Sequence, residues 1–218
     1  MCLDALSTMW DLYLEVFRVH AHQLLAWAHE DVRSRIDAGL DEPAITGLLA
    51  DAMKARLNFH PDTPAEYVHY WVGDQEPISP DGQLGNDRLR LDVTVIRTGD
   101  KPRLSYIFEA KRLRAGSFTI GKYTGASGMG DFLECRYGTQ CPEAAMVGLV
   151  QDRDAIYWSD ELKRVFAADQ AGQPPLLAVK KTLSPLLVIA AIPDEWESHH
   201  VRSNGTDLRL LHIFLSCI

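Results

Sequence analysis

Arg88 to Arg114 read RLRLDVTVIRTGDKPRLSYIFEAKRLR, and this segment carries the clearest structural pattern in the chain. Two apolar-rich segments with a turn between them predict a β-hairpin that is fit to be buried in a sheet. Each segment also carries charge where an apolar residue is expected. Asp92 interrupts the first segment, and Glu109 and Lys111 close the second. The hairpin therefore predicts two carboxylates and an ammonium near one place in the fold.

The register of this hairpin determines how close the two carboxylates come. Residues two apart along a strand share a face, so Glu109 and Lys111 point the same way. If the turn is centred between Asp100 and Lys101, Asp92 lies opposite Glu109, with Cβ atoms roughly 4.5–5.5 Å apart. Two carboxylates that close resist ionisation unless a cation lies between them. Mg²⁺, or Mn²⁺ in its place, suits such a pair because it is held by carboxylate, water and phosphate oxygens.

Lys111 has a chemical reason to stand beside such a metal. An ammonium next to a scissile phosphate can orient or help to deprotonate the attacking water, and it can offset charge that develops in the transition state. A plainer interpretation stays open. Glu109 and Lys111 could form a solvated salt bridge, and Asp92 could pair with Arg90 or Arg112.

The motif LDV on one strand, followed by FEAKR on the next, resembles the core of the PD-(D/E)xK nuclease superfamily, which has the restriction-endonuclease-like fold. That core is a helix followed by three strands, a helix and a further strand. The stretch from Pro43 to about Asp152 offers this order and covers roughly half of the chain. Leu91 stands where the family name has a proline, a residue that many members lack.

The resemblance implies a role for each residue of the motif. Asp92, Glu109 and Lys111 would be the catalytic residues, with Asp92 and Glu109 as metal ligands. The Ala110 carbonyl would be a further ligand, and Glu42 would add a carboxylate from the preceding helix. Capping of that helix explains an acid at position 42 equally well.

A basic segment follows the same strands and indicates phosphate contact at one site. Seven Lys and Arg residues but only two acids lie between positions 97 and 122, although the whole chain has a net charge of −8. That net charge argues against a protein that coats nucleic acid. A solvated basic edge and a glycine-rich surface loop remain the alternatives. The candidate nucleic-acid contacts are Arg112, Arg114, Lys122, Tyr123 and Arg136.

The remaining pattern predicts an α/β fold with a central mixed sheet flanked by helices. We expect an N-terminal helical extension over residues 1–40 and a nuclease-like α/β domain over residues 41–218. Beyond the hairpin, strands are predicted at AEYVHYWVG, AAMVGLV, PLLVIAAIP and DLRLLHIFLS, and a helix at SDELKRVFAAD with Ser159 or Asp160 as its cap. His199 and His200 are placed in a polar loop, and the eight histidines form no metal signature.

The function expected from the resemblance is a Mg²⁺-dependent endonuclease, a hydrolase of phosphodiester bonds in DNA, in a restriction or antiviral defence system. With no obvious separate DNA-reading domain, we expect targeting by a partner subunit or by DNA structure. A protein partner subunit and a homodimer are the two assemblies considered. The alternative is a non-catalytic nuclease-like partner that acts in assembly or in nucleic-acid binding. Unpaired cysteines and the acidic N-terminus predict a cytoplasmic protein without membrane association.

Overall fold

The computed structural model describes residues 2–78, 89–99, 103–136, 138–172 and 176–218. One seven-stranded mixed sheet runs through them in the order β1-β2-β3-β4-β7-β6-β5. The β3–β4 and β4–β7 pairs are parallel, and the other pairs are antiparallel. The strands are β1 (Tyr70–Ile78), β2 (Leu89–Arg97), β3 (Ser105–Leu113), β4 (Glu143–Val150), β5 (Val179–Pro185), β6 (Glu195–Val201) and β7 (Asp207–Ser216).

Helices cover both faces of the sheet, so the predicted α/β class with a flanked mixed sheet is confirmed. The helices are α1 (Cys2–Val32), α2 (Glu42–Phe59), α3 (Ile120–Thr124), α4 (Met129–Leu133) and α5 (Ala155–Ala171), with 3₁₀ turns at Arg33–Arg35 and Ala65–His69. Residues of α1 and α2 share one hydrophobic cluster with one face of the sheet, and residues of α3, α4 and α5 share a second cluster with the other face. No helix of the described residues is both long enough and apolar enough to cross a membrane.

The central strand β4 shows why the sheet is covered on both faces. Every residue of β4 is buried. Ala145 and Val147 belong to the first cluster, whereas Ala144 and Met146 belong to the second. This continuous burial matches the apolar run AAMVGLV, as expected for a parallel strand covered on both faces.

The alignment of the hairpin agrees with the sequence prediction, but the described pairing ends at Val93 and Phe108, one position before the predicted pair of Asp92 and Glu109. Val93 pairs with Phe108 and Thr94 with Ile107, which is the alignment that a turn centre between residues 100 and 101 requires. Residues 100–102 themselves lie outside the described residues. The division of the chain at residue 40 stays a prediction, although α1 packs in the same cluster as α2.

Several predicted elements are wrong in place or kind. Only the first residue of the run PLLVIAAIP, Pro185, lies in a strand, at the end of β5. The rest forms a loop in which Ile189 and Ile192 are buried in the first cluster. The supposed polar loop with His199 is strand β6 instead. The helix predicted at Ser159 begins one turn earlier, because Asp154 caps it by accepting the Tyr157 N–H at 2.7 Å.

Candidate active site

The candidate site forms where β2 and β3 stop pairing. Their described register ends at Val93 and Phe108, whereas β3 continues to Leu113. Beyond that point β2 continues to Leu89 in pairing with β1, and two carboxylates accept N–H groups of β3 in place of β2 carbonyls. The Ala110 N–H donates to Asp92 Oδ2 at 2.9 Å, and the Arg112 N–H donates to Glu42 Oε2 at 3.0 Å. This edge of β3 thus explains why two acids are held here, because its N–H groups need acceptors.

The start of α2 brings Glu42 to this edge. Asp41, not Glu42, is the N-cap residue, because its side chain accepts the Ala44 N–H at 2.9 Å. Pro43 occupies the first turn, where its missing N–H costs no hydrogen bond. The capping alternative for Glu42 is therefore wrong, and its carboxylate is directed to β3.

Lys111 joins the oxygen atoms of the site. Its Nζ donates to Glu109 Oε1 at 2.6 Å, to the Ala110 carbonyl at 2.7 Å and to Glu42 Oε1 at 3.0 Å. The Lys111 side chain is 13% exposed and that of Glu109 is 6% exposed. The structure thus brings together all five residues that sequence reasoning assigned to catalysis or metal ligation, the fifth being Asp92 at the same edge.

Burial and neighbouring charge have opposite effects on the pKa of Lys111, and likewise on the pKa of Asp92. Burial alone would lower the pKa of Lys111, but the carboxylates of Glu109, Glu42 and Asp92 outweigh it and raise that pKa above its ordinary value. Burial raises the pKa of Asp92, and the charge of Lys111 and the Ala110 N–H only partly offset it. At neutral pH the cluster therefore keeps its ammonium, and Asp92 depends on neighbouring positive charge to stay ionised.

The donor set fits a hard divalent cation. Asp92, Glu109, Glu42 and the Ala110 carbonyl offer only oxygen atoms, which are the ligands that Mg²⁺ and Mn²⁺ take in proteins. Three of these oxygens already converge on one cationic atom, the Lys111 ammonium. In the part of the chain that the structure describes, no group of three or more His, Cys, Asp or Glu side chains is arranged to hold a metal ion as it stands. Lys111 would have to leave its present position for a cation to share these oxygens.

A cleft of mixed charge opens beside the cluster. It has a volume of about 390 Å³, and its lining includes the cations Lys111, Arg112 and Lys122, the acids Asp41 and Glu42, and Phe118. The Arg112 guanidinium lies 3.7 Å from the centre of the Phe118 ring, and the Lys122 ammonium lies 5.0 Å from it. Arg112 also donates to the Leu40 carbonyl at 3.2 Å. The cleft can therefore present two cations to an anionic ligand next to the carboxylates.

The other predicted nucleic-acid contacts differ in position. Arg114 is exposed just beyond the end of β3. Arg136 is paired with Asp131 at 3.0 Å and lines a separate cavity of about 850 Å³. Tyr123 is fully buried, and its hydroxyl contacts the Met146 carbonyl and His212. The prediction that Tyr123 contacts nucleic acid is therefore wrong, because the α3 helix turns this side chain into the second cluster.

Two residues at the site escaped the sequence analysis. Gln75 donates from Nε2 to Asp92 Oδ1 at 2.8 Å. Phe118 supplies the ring under Arg112 and Lys122. Gln75 has no local signal, because only the pairing of β1 with β2 brings it to Asp92. Phe118 could have been found from its place four residues before Lys122, in the basic segment.

Comparisons with known proteins find no match that bears on the site. A scan against models of protein families finds no match, and searches of curated proteins and of solved structures find none.

Proposed function

We propose that this chain is a metal-dependent nuclease of the restriction-endonuclease-like class that hydrolyses phosphodiester bonds in DNA. One observation carries the proposal. Three acidic side chains, a carbonyl and a lysine converge where β3 parts from β2. Oxygens of Glu42, Glu109 and Ala110 bond to the Lys111 ammonium, and Asp92 accepts the Ala110 N–H beside them. Such a concentration of buried charge costs stability, so it is expected mainly at functional sites.

The element order supports the same class. Helix α2, the strands β1, β2 and β3, the helices α3 and α4, and strand β4 follow one another in the order that the resemblance requires. The two motif strands are neighbours, and β4 adds to β3 in parallel. Fold-level likeness does not specify a reaction, so the proposal rests on the cluster and not on the order.

Each residue has a definite part in the proposed chemistry. Asp92, Glu109, Glu42 and the Ala110 carbonyl would hold Mg²⁺ or Mn²⁺, which as a Lewis acid polarises the phosphate and lowers the pKa of bound water. Beside these carboxylates, which raise its pKa, Lys111 is protonated and would act by charge and hydrogen bonding. Arg112 and Lys122 of the cleft would pair with phosphate oxygens on either side of the scissile bond.

The test is cleavage of supercoiled plasmid, short single-stranded DNA and an RNA of the same sequence, with Mg²⁺, Mn²⁺ or EDTA. Wild type is compared with Asp92→Ala and Lys111→Ala, and with Lys163→Ala as the control, since Lys163 is exposed on α5 and pairs only with Asp160 among the described contacts. We expect metal-dependent cleavage of DNA by wild type and the control, and a loss of about 100-fold or more in both site variants. Cleavage that survives both substitutions would place the activity elsewhere or in a contaminant.

A second candidate function is favoured by a different observation. Trp10, Leu12 and Val16 of α1 are 42%, 59% and 38% exposed. These side chains suit a protein partner, so the chain could serve as a non-catalytic subunit of a defence complex. If wild type neither cleaves nor takes up Mg²⁺ or Mn²⁺ in a calorimetric titration, this candidate replaces the nuclease. Metal uptake without cleavage would indicate an enzyme that needs its partner.

A further inference from the structure

The backbone of β1 is irregular at the point where it faces Asp92. Asp74 pairs with Val93 and Glu76 pairs with Leu91, so Gln75 lies beside Asp92 in the sheet. Gln75 has φ +48°, in the left-handed region that a residue with a side chain rarely adopts. A backbone of this kind is strained and persists only where surrounding contacts hold it.

The irregularity reverses the alternation of side chains in both strands. Residues three apart on a regular strand face opposite sides, yet the Glu76 side chain lies over Gly73, where an added Cβ would come within 2.6 Å of Glu76 Cδ. On β2, Leu91 packs in the second hydrophobic cluster and Val93 in the first, although residues two apart normally share a face. Asp92 thus sits at the crossover between the two faces.

At this crossover the Asp92 carboxylate points along the sheet, and each of its two oxygens accepts a hydrogen bond. Oδ2 accepts the Ala110 N–H at 2.9 Å, and Oδ1 accepts the Gln75 side-chain amide at 2.8 Å. Two donors on different oxygens fix the plane of a carboxylate, and each oxygen retains a further lone pair. The Gln75 side chain is therefore the one described side chain that orients Asp92 from β1.

We propose that Gln75 is a positioning residue that fixes the orientation of Asp92 for cation binding, an inference that rests on the proposed metal-dependent function. Its amide supplies the orientation, and its left-handed backbone places the amide. Outer hydrogen-bond partners of metal ligands typically contribute 10- to 100-fold in metal affinity or activity.

Two variants distinguish the effect of losing the Gln75 amide from the effect of relieving its backbone strain. Gln75→Met keeps the length of the side chain and the backbone strain but removes the amide. Gln75→Gly removes the amide and accepts the left-handed backbone without strain, so it is expected to fold. Gln170→Met is the matched control, because Gln170 lies on α5, away from the cluster, and its amide donates to the Val179 carbonyl of β5.

The measurements are Mn²⁺ affinity by calorimetry, the Mg²⁺ concentration for half-maximal DNA cleavage, and the melting temperature. We expect both Gln75 variants to bind Mn²⁺ about 10-fold more weakly and to need correspondingly more Mg²⁺. Their cleavage rates at saturating Mg²⁺ should fall less than their metal affinity. A purely structural role would change the melting temperature and leave the metal requirement unaltered.

The outcomes distinguish this inference from the proposed function. Mn²⁺ affinities within twofold of wild type in both variants would overturn the role of Gln75 and leave the nuclease proposal standing. A wild-type protein that binds no Mn²⁺ would overturn both. If Gln75→Met does not fold, the Mn²⁺ affinity of Gln75→Gly decides whether the inference stands. Weaker Mn²⁺ binding by Gln75→Gly then supports it, and an affinity within twofold of wild type overturns it.

Discussion

Among single residues, Lys111 is central, because its ammonium occupies the place among the site oxygens that a metal cation would take. It bonds to Glu109, Ala110 and Glu42, which are the same oxygens that would ligate a metal. Without it, buried carboxylates would face one another with no positive charge between them, which is strongly unfavourable. The Lys111 ammonium and a metal ion therefore compete for the same oxygens, so removing the ammonium should strengthen metal binding.

The first prediction is that Lys111→Met destabilises the metal-free protein and strengthens its response to Mg²⁺. Removing one partner of a buried ion pair costs about 3 kcal/mol. A ligand that binds only the folded chain restores stability according to its affinity, and the variant lacks the competing ammonium. Thermal unfolding with and without excess Mg²⁺ measures both effects. Lys163→Met, an exposed lysine on α5, is the control, and equal Mg²⁺-induced shifts in variant and wild type would refute the competition.

At the scale of elements, the first turn of α2 connects helix stability to the site. The Asp41 cap holds the turn that carries Glu42, and Glu42 reaches both Lys111 and the Arg112 N–H. A helix N-terminus without its cap frays, since its first N–H groups lose their acceptors. The cap therefore affects the position of a candidate ligand as well as the stability of the helix.

The second prediction compares Asp41→Ala with Asp154→Ala, which removes the equivalent cap of α5. Each change should lower the free energy of unfolding by about 1 kcal/mol. Only Asp41→Ala should also slow metal-dependent cleavage, by about 10-fold, because it loosens Glu42. Denaturant unfolding and plasmid cleavage test the pair. Equal cleavage rates in the two variants would show that the start of α2 does not position the site.

The accuracy of the sequence predictions depends on how local the signal is. The β2–β3 register was predictable because alternation and the turn lie within one hairpin. Strand β6 was not predicted, because its buried Glu195, Ser198 and His200 look like surface residues in sequence. Their polar groups face partners that are distant in sequence: Glu195 lies against His22, and Ser198 lies against His212. Gln75 escaped for the same reason, since its partner becomes a neighbour only when the sheet forms.

At the scale of the whole molecule, a buried polar network connects the sheet to its second helical layer. Ser198 Oγ lies 2.7 Å from both His200 Nε2 and His212 Nε2, and His212 Nδ1 contacts the Tyr123 hydroxyl at 2.9 Å. His200 Nδ1 lies 2.8 Å from the Leu177 carbonyl. The hydrogen bonds lock both imidazoles in the core, so their protonation is coupled to the folding of the whole chain.

The third prediction is that acid unfolds the protein through these histidines. Burial lowers the pKa of His200 to about 4, with His199 acting in the same direction, while the Leu177 carbonyl and Asp169 partly oppose the shift. Burial also places the pKa of His212 well below its ordinary value. Between pH 6.5 and 4 the unfolded chain binds protons that the folded chain excludes, so stability falls as pH decreases. For His200 alone the loss by pH 4 is about 3 kcal/mol.

The variant His200→Gln separates this contribution from general acid denaturation. A glutamine can still hydrogen-bond in the core but does not titrate, so its free energy of unfolding should depend less steeply on pH between 6.5 and 4. Above pH 6.5 the wild-type imidazole is neutral in both states, so the two slopes should converge there. Denaturant unfolding at a series of pH values gives both slopes, with His60→Gln as an exposed control. An unchanged slope in His200→Gln would mean that the network opens to solvent before the chain unfolds, because only a solvated imidazole could take up its proton in the folded state.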